Sequence, residues 1–195
     1  MRIIAGKFRS RLLVAPSNRK VRPTSDRLRE TLFNVLAPRI EGAVFADLFA
    51  GTGAVGIEAL SRGARHVYFA ENSRAALVVL RRNLATIQLL SQSQVESAGT
   101  LPLLRRLASQ RIQLDVVFLD PPYDNADAYS DCMQFLGSYS ALAPDAIIVA
   151  EHSRRIPLPA VFGDLERYRL LEQGDAALSF FRAARNDTDA GCPPG

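Results

Sequence analysis

The 195-residue chain has no tryptophan, two cysteines, two histidines and only two lysines. Cys132 and Cys192 are too few for a disulfide framework and lack metal-ligand spacing, so a reduced protein without a metal site is expected. No apolar run approaches the ~20 residues of a membrane span. The N-terminus, Met1-Arg-Ile-Ile-Ala-Gly-Lys-Phe-Arg-Ser-Arg-Leu-Leu13, has no long apolar stretch after its charges, which argues against a secretory leader. These absences together predict a cytoplasmic protein that does not associate with membranes. His66 begins an apolar segment and His152 ends one, and each reads as structural or solvent-facing rather than catalytic.

The scarcity of lysine is offset by 22 arginines, and their placement is uneven. Residues 1–30 hold nine basic side chains against Asp26 and Glu30, whereas the remainder is slightly acidic. Cations gathered at one end suit a phosphate-rich partner, because they displace condensed counterions when they meet nucleic acid. Arg2, Lys7, Arg9, Arg11, Arg22, Arg27 and Arg29 are the candidate nucleic-acid contacts. A solvated basic arm would look the same, and the excess of Arg over Lys can reflect genome composition alone.

Strand and helix signals alternate along the chain. Arg2–Ile4 and Leu12–Ala15 read as two short strands around a basic turn. Thr24 or Ser25 can cap a helix whose apolar positions Leu28, Leu32, Val35 and Leu36 follow helical spacing, with Pro38 as its end. Strands are expected over Ala43–Leu48, His66–Ala70, Gln94–Ala98, Leu114–Leu119 and Ala146–Ala150, with helices between them. Cys132 falls on the apolar stripe of one of these helices. Two last strands, near Arg167–Leu171 and Ala177–Arg182, have no clear helix between them. The pattern predicts an α/β, Rossmann-like fold with a mostly parallel seven-stranded sheet, a C-terminal antiparallel hairpin and a small N-terminal β-hairpin. It divides into a basic extension over 1–20, a main domain over 21–184 and a disordered tail over 185–195.

The first predicted strand runs into Asp47-Leu-Phe-Ala-Gly-Thr-Gly-Ala-Val-Gly56, where Gly51, Gly53 and Gly56 satisfy G-x-G-x-x-G before a helix. Glu71 stands at the end of the second strand, where a carboxylate can accept both ribose hydroxyls of a nucleoside cofactor. A nicotinamide dinucleotide site would show both features. Asp47 favours S-adenosylmethionine instead, because an acid there suits the cationic amino group of a methionine moiety, whereas a pyrophosphate site keeps that position apolar.

Asp120-Pro-Pro-Tyr123 follows the apolar run Leu114–Leu119 directly. Pro121 and Pro122 stiffen the backbone and remove two amide donors. A base amino group at this turn meets two acceptors, the Asp120 carboxylate and the Pro121 carbonyl. Tyr123 offers a flat face for an extruded base. The pair of acceptors can hold both amine hydrogens and aim the nitrogen lone pair at an activated methyl group, so positioning carries the chemistry. An ordinary turn after a buried strand is the plainer alternative.

With these motifs, the chain resembles the RsmD family, bacterial S-adenosylmethionine-dependent methyltransferases of Rossmann-like class I that modify guanine N2 in 16S ribosomal RNA of the small subunit. The likeness rests on Met1–Gly6, Arg22–Asn34, Asp47–Leu60, Leu60–Ala64 and Asp120–Tyr123 and runs to about Ala184. It implies a cytoplasmic enzyme that methylates one guanine in an assembling or assembled small subunit, and a monomer is expected. By position, Asp47, Phe49, Ala50, Gly51, Thr52, Gly53 and Gly56 would line the cofactor, Glu71 would hold its ribose, and Asn72 and Ser73 would lie beside it. Asp120, Pro121, Pro122 and Tyr123 would present the base. Ala98 and Gly99 stand where many relatives place a polar residue against the adenine ring, which implies a backbone-only contact there. The same tetrapeptide occurs in enzymes that act on adenine N6 or a glutamine amide, and a non-catalytic assembly factor could keep the fold; both remain alternatives.

Overall fold

A computed structural model of the chain describes residues 1–15, 25–122, 126–138 and 142–184. Arg22, Tyr123 and the tail 185–195 lie outside the described residues. Helix α1 spans Asp26–Ile40, and Ser25 caps it by accepting from the Leu28 amide at 3.1 Å. Pro38 does not end this helix as expected. It sits within the last turn, and the chain coils on until Ile40 is buried in the core.

The remaining helices are α2 (Ala54–Ser61), α3 (Arg74–Thr86), α4 (Thr100–Ser109) and α5 (Ala126–Gly137). They alternate with strands β1 (Val44–Leu48), β2 (His66–Ala70), β3 (Ser93–Glu96), β4 (Leu114–Leu119) and β5 (Leu142–Ser153). Strands β6 (Val161–Phe162), β7 (Leu165–Gln173) and β8 (Ala176–Ala183) complete one sheet in the order β3-β2-β1-β4-β5-β8-β7-β6. The first five strands are parallel, and β8 inserts antiparallel between β5 and β7. The sheet therefore has eight strands rather than seven. The extra one is a two-residue piece that pairs with the start of β7 and buries Phe162.

Both faces of the sheet are covered, which is why β1 and β4 read as unbroken apolar runs. One layer packs α1, α2 and α3 against Phe45, Val67, Phe69, Val116 and Phe118, together with Ile3 and Leu13 from the N-terminus. The other packs α4 and α5 against Ala46, Val117, Ile148 and Phe181, with Cys132 and Met133 inside it.

The N-terminal hairpin is narrower than its sequence suggests. Arg2 and Leu12 form a single antiparallel bridge. The Ile3 amide donates to the Arg11 carbonyl and the Leu13 amide to the Met1 carbonyl, each at 3.0 Å, while four other amides bond helix side chains. Ile4 and Ala5 donate to the Glu58 carboxylate at 2.8 and 2.9 Å, Phe8 to the Ser61 hydroxyl at 3.0 Å, and Val14 to the Asn83 side chain at 2.8 Å. Gly6 is required where this arm meets α2. Its φ is +82°, and a Cβ there would lie 1.8 Å from the Ser61 carbonyl oxygen.

Candidate cofactor and base site

Strand β1 sends the chain to β2 and β3 on one side, while β4 and β5 lie on the other. Such a reversal leaves a crevice at the carboxyl ends of the two central strands, the general ligand position in open α/β sheets. In register, Leu48 of β1 lies opposite Ala70 of β2 and Leu119 of β4, so three strand ends finish level. Each predicted motif begins at one of them.

The turn after β1 is held tightly. Phe49 adopts a left-handed φ of 68°, and the Ala50 amide donates to the Ala70 carbonyl at 2.9 Å. The three glycines have different tasks. A Cβ on Gly53 would lie 2.3 Å from Leu80, and one on Gly56 would lie 2.3 Å from the Phe69 ring. Both therefore serve close packing against α3 and β2. Around Gly51 there is open space within 4 Å, as a ligand-facing position needs. Thr52 is buried, and its carbonyl accepts from the Asn83 amide group at 3.0 Å.

Asp47 is buried at the base of the turn and accepts from the Gly56 amide at 2.8 Å. Burial pushes its carboxyl up to about 7 against that hydrogen bond, and the nearby Glu71 charge adds to the rise. A carboxylate so poised gains from a nearby cation, the requirement set by a ligand ammonium. Glu71 joins the two corners of the site. One of its oxygens accepts from the Gly51 amide and the other from the Ser73 amide, each at 2.7 Å. The Ser73 hydroxyl caps α3 through the Ala76 amide.

Asn72 is exposed beside Gly99, whose φ is +100° and whose Cβ position would lie 3.9 Å from Asn72 Cβ. Ala98 is exposed, and its amide donates to Glu96 at 3.0 Å. Across the crevice, the Asp120 amide reaches the Leu48 carbonyl at 3.4 Å. The proline corner and the glycine turn are thus immediate neighbours. Asp120 is half-buried, Pro121 is buried and Pro122 is exposed. Tyr129 of α5 donates its hydroxyl to the Glu151 carbonyl and so ties the helix that follows this corner to β5.

Arg2, Lys7, Arg9, Arg11 and Arg27 are exposed. Lys7 and Arg11 each lie over the Phe8 ring, at 5.5 and 5.4 Å from its centroid. Arg29 is a correction: it is fully buried and cannot reach RNA. Its guanidinium donates to the Arg2 carbonyl at 2.6 Å, pairs with Asp26 at 3.0 Å and lies 3.9 Å from Glu58. It joins α1 to the arm from inside, and burial lowers its pKa. His152 is likewise internal, between the Ser153 carbonyl and the Ser179 hydroxyl. Burial raises the Cys132 thiol to about 12, which leaves it an inert core group. Glu58 and Asn83, the two side chains that fasten the arm, were not singled out by sequence reasoning. A lone carboxylate inside the apolar helix Ala54–Ser61 was the available signal for Glu58.

A protein family described as Conserved hypothetical protein 95 matches residues 1–182. The Ribosomal RNA small subunit methyltransferase D of Escherichia coli K12 is 37% identical over 191 residues, covering 97% of this chain and 94% of that protein. The chain belongs to the RsmD family. A relative of the same name from Haemophilus influenzae is 36% identical over 187 residues, covering 95% of this chain and 94% of its own. The solved structure of the Escherichia coli protein yhhF superposes with a TM-score of 0.81 at 34% identity, covering 94% of this chain and 98% of that one. Membership of the RsmD family makes the chain a methyltransferase, and its sheet is that of the Rossmann-like class I fold.

Proposed function

We propose that this RsmD-family chain moves the methyl group of S-adenosylmethionine to the exocyclic N2 of one guanine in 16S ribosomal RNA, in an assembling or assembled small subunit. It does so as a cytoplasmic monomer. No described helix is long and apolar enough to cross a membrane. The observation that carries the reading is the contact of the Asp120 amide with the Leu48 carbonyl, which brings the proline corner against the glycine turn.

The residues of the turn fit the cofactor. Open space at Gly51 admits it, the buried Asp47 carboxylate suits its ammonium, and the Glu71 oxygens retain lone pairs for two ribose hydroxyls. Asn72, Ala98 and Gly99 form the rim on the base side. When bound, the sulfonium supplies a methyl group already activated for displacement. The protein must then deliver the amine. The Asp120 carboxylate and the Pro121 carbonyl accept the two N2 hydrogens and turn the nitrogen lone pair toward the methyl carbon, while Pro122 stiffens the corner and Tyr123 stacks on the extruded ring. The nitrogen–carbon bond forms as the sulfur–carbon bond breaks. The surplus amine proton leaves after transfer, so a strong base is not required. Arg2, Lys7, Arg9, Arg11, Arg22 and Arg27 hold the RNA backbone.

Asp120→Ala is expected to bind S-adenosylhomocysteine with nearly unchanged affinity and to lose methyl transfer to small subunits by at least about a hundredfold, the scale of a misplaced reactant. Undiminished turnover in that variant would overturn the assignment.

A further inference from the structure

The arm is not the sole cationic surface on the helical face that it shares. Strand β7 shifts register against β8 between Arg167 and Arg169, so Tyr168 is the extra residue of a β-bulge. Bulges re-aim side chains, and here Tyr168 is 40% exposed, its ring tilted against Phe180 at a centroid distance of 6.3 Å. The Arg182 guanidinium lies over the ring at 5.3 Å. Arg169, Arg182 and Arg39 from the last turn of α1 are the charges that act on the Tyr168 hydroxyl. Phe180 shares its core with Ile3 and Leu13, which puts this strip on the same side of the sheet as the basic arm.

We propose that Arg39, Tyr168, Arg169 and Arg182 form a second RNA-contact surface, where an unpaired base packs on the Tyr168–Arg182 stack and the guanidiniums hold its flanking phosphates. The inference rests on the ribosomal RNA reading above and adds a site remote from the methylated guanine. A half-exposed ring among arginines has the composition of a single-strand platform, because every base has a face that stacks on an aromatic ring or a guanidinium plane. Two carboxylates stand nearby. Asp145 pairs with Arg39 at 3.5 Å, and Glu166 faces Arg182 across the ladder. Exposed pairs of this kind are weak and screened by salt, so phosphates can replace them.

The test uses the full chain and small subunits from cells that lack this gene. Tyr168→Ala should raise KM for subunits about tenfold, the scale of one lost base stack, with kcat and S-adenosylhomocysteine affinity unchanged. Tyr168→Phe, which keeps the ring, should restore KM. Arg169→Ala and Arg182→Ala should each reduce the slope of log KM against log salt by about one. Unchanged KM in Tyr168→Ala, or a Phe variant as impaired as the Ala variant, overturns the proposal. A defect with assembled subunits that disappears with protein-free 16S RNA assigns the strip to a ribosomal protein and overturns it equally. Failure of the unmodified enzyme to methylate any subunit RNA would sink the underlying reading instead.

Discussion

Asp47 titrates far above the ordinary aspartate range, at about 7. In the free protein its burial disfavours the charged form, so its contribution to stability falls as pH rises from about 4 toward about 7. A ligand ammonium reverses that preference, because only the ionised carboxylate attracts it. Binding should therefore strengthen as pH rises through the Asp47 titration, and protons should be released. Titration calorimetry with S-adenosylhomocysteine should show affinity rising about fivefold between pH 6 and pH 7, as the ionised fraction climbs toward one half. Asp47→Asn should bind weakly with no such dependence. A flat profile in the unaltered protein would remove Asp47 from the ammonium site. The acid itself was legible in the sequence, from its place before the glycines. Its raised pKa was not, since that depends on how completely the surrounding strands exclude water.

Among the elements, helix α2 does more than open the glycine turn. Glu58 on this helix accepts the Ile4 and Ala5 amides, bonds the Arg62 Nε at 2.8 Å and lies against the buried Arg29. The arm's expected hairpin is reduced to one bridge, held by the Ile3–Arg11 and Leu13–Met1 backbone bonds, while Glu58, Ser61 and Asn83 take four of its other amides. Removing the Glu58 carboxylate takes a buried countercharge from Arg29 and the acceptor from two arm amides. Glu58→Ala should lower stability by about 3–5 kcal/mol, measured as a shift of the urea midpoint with little change in slope. A loss below about 1 kcal/mol would mean that the arm is fastened elsewhere. Element order was readable from hydrophobic periodicity, and β2 and β4 match their expected ranges residue for residue. The misreadings arose where tertiary contacts override local signals. Pro38 is absorbed into the last turn of α1 because Ile40 has a buried place to reach, and a two-residue strand forms because Phe162 has one too. Arg29 shows the same limit. Composition counts it among the arm's cations, but burial makes it an internal fastener.

At the scale of the molecule, the basic arm, the glycine turn and the proline corner form one construction. The arm is bonded to α2, α2 begins at the turn, and the turn touches the corner through Asp120 and Leu48. In the proposed reaction, RNA docked on the arm is referred to the same frame as the cofactor. Both site motifs stood in the sequence, because the glycines and the two prolines have few local substitutes. Their adjacency followed only from strand order, which places β4 beside β1. The most direct measurement is tritium transfer from labelled S-adenosylmethionine to small subunits lacking the modification, with the labelled nucleoside located by mass mapping of 16S RNA. The account predicts a single N2-methylguanosine. Label on adenine, on DNA or on protein, or labelling spread over many guanines, would contradict it.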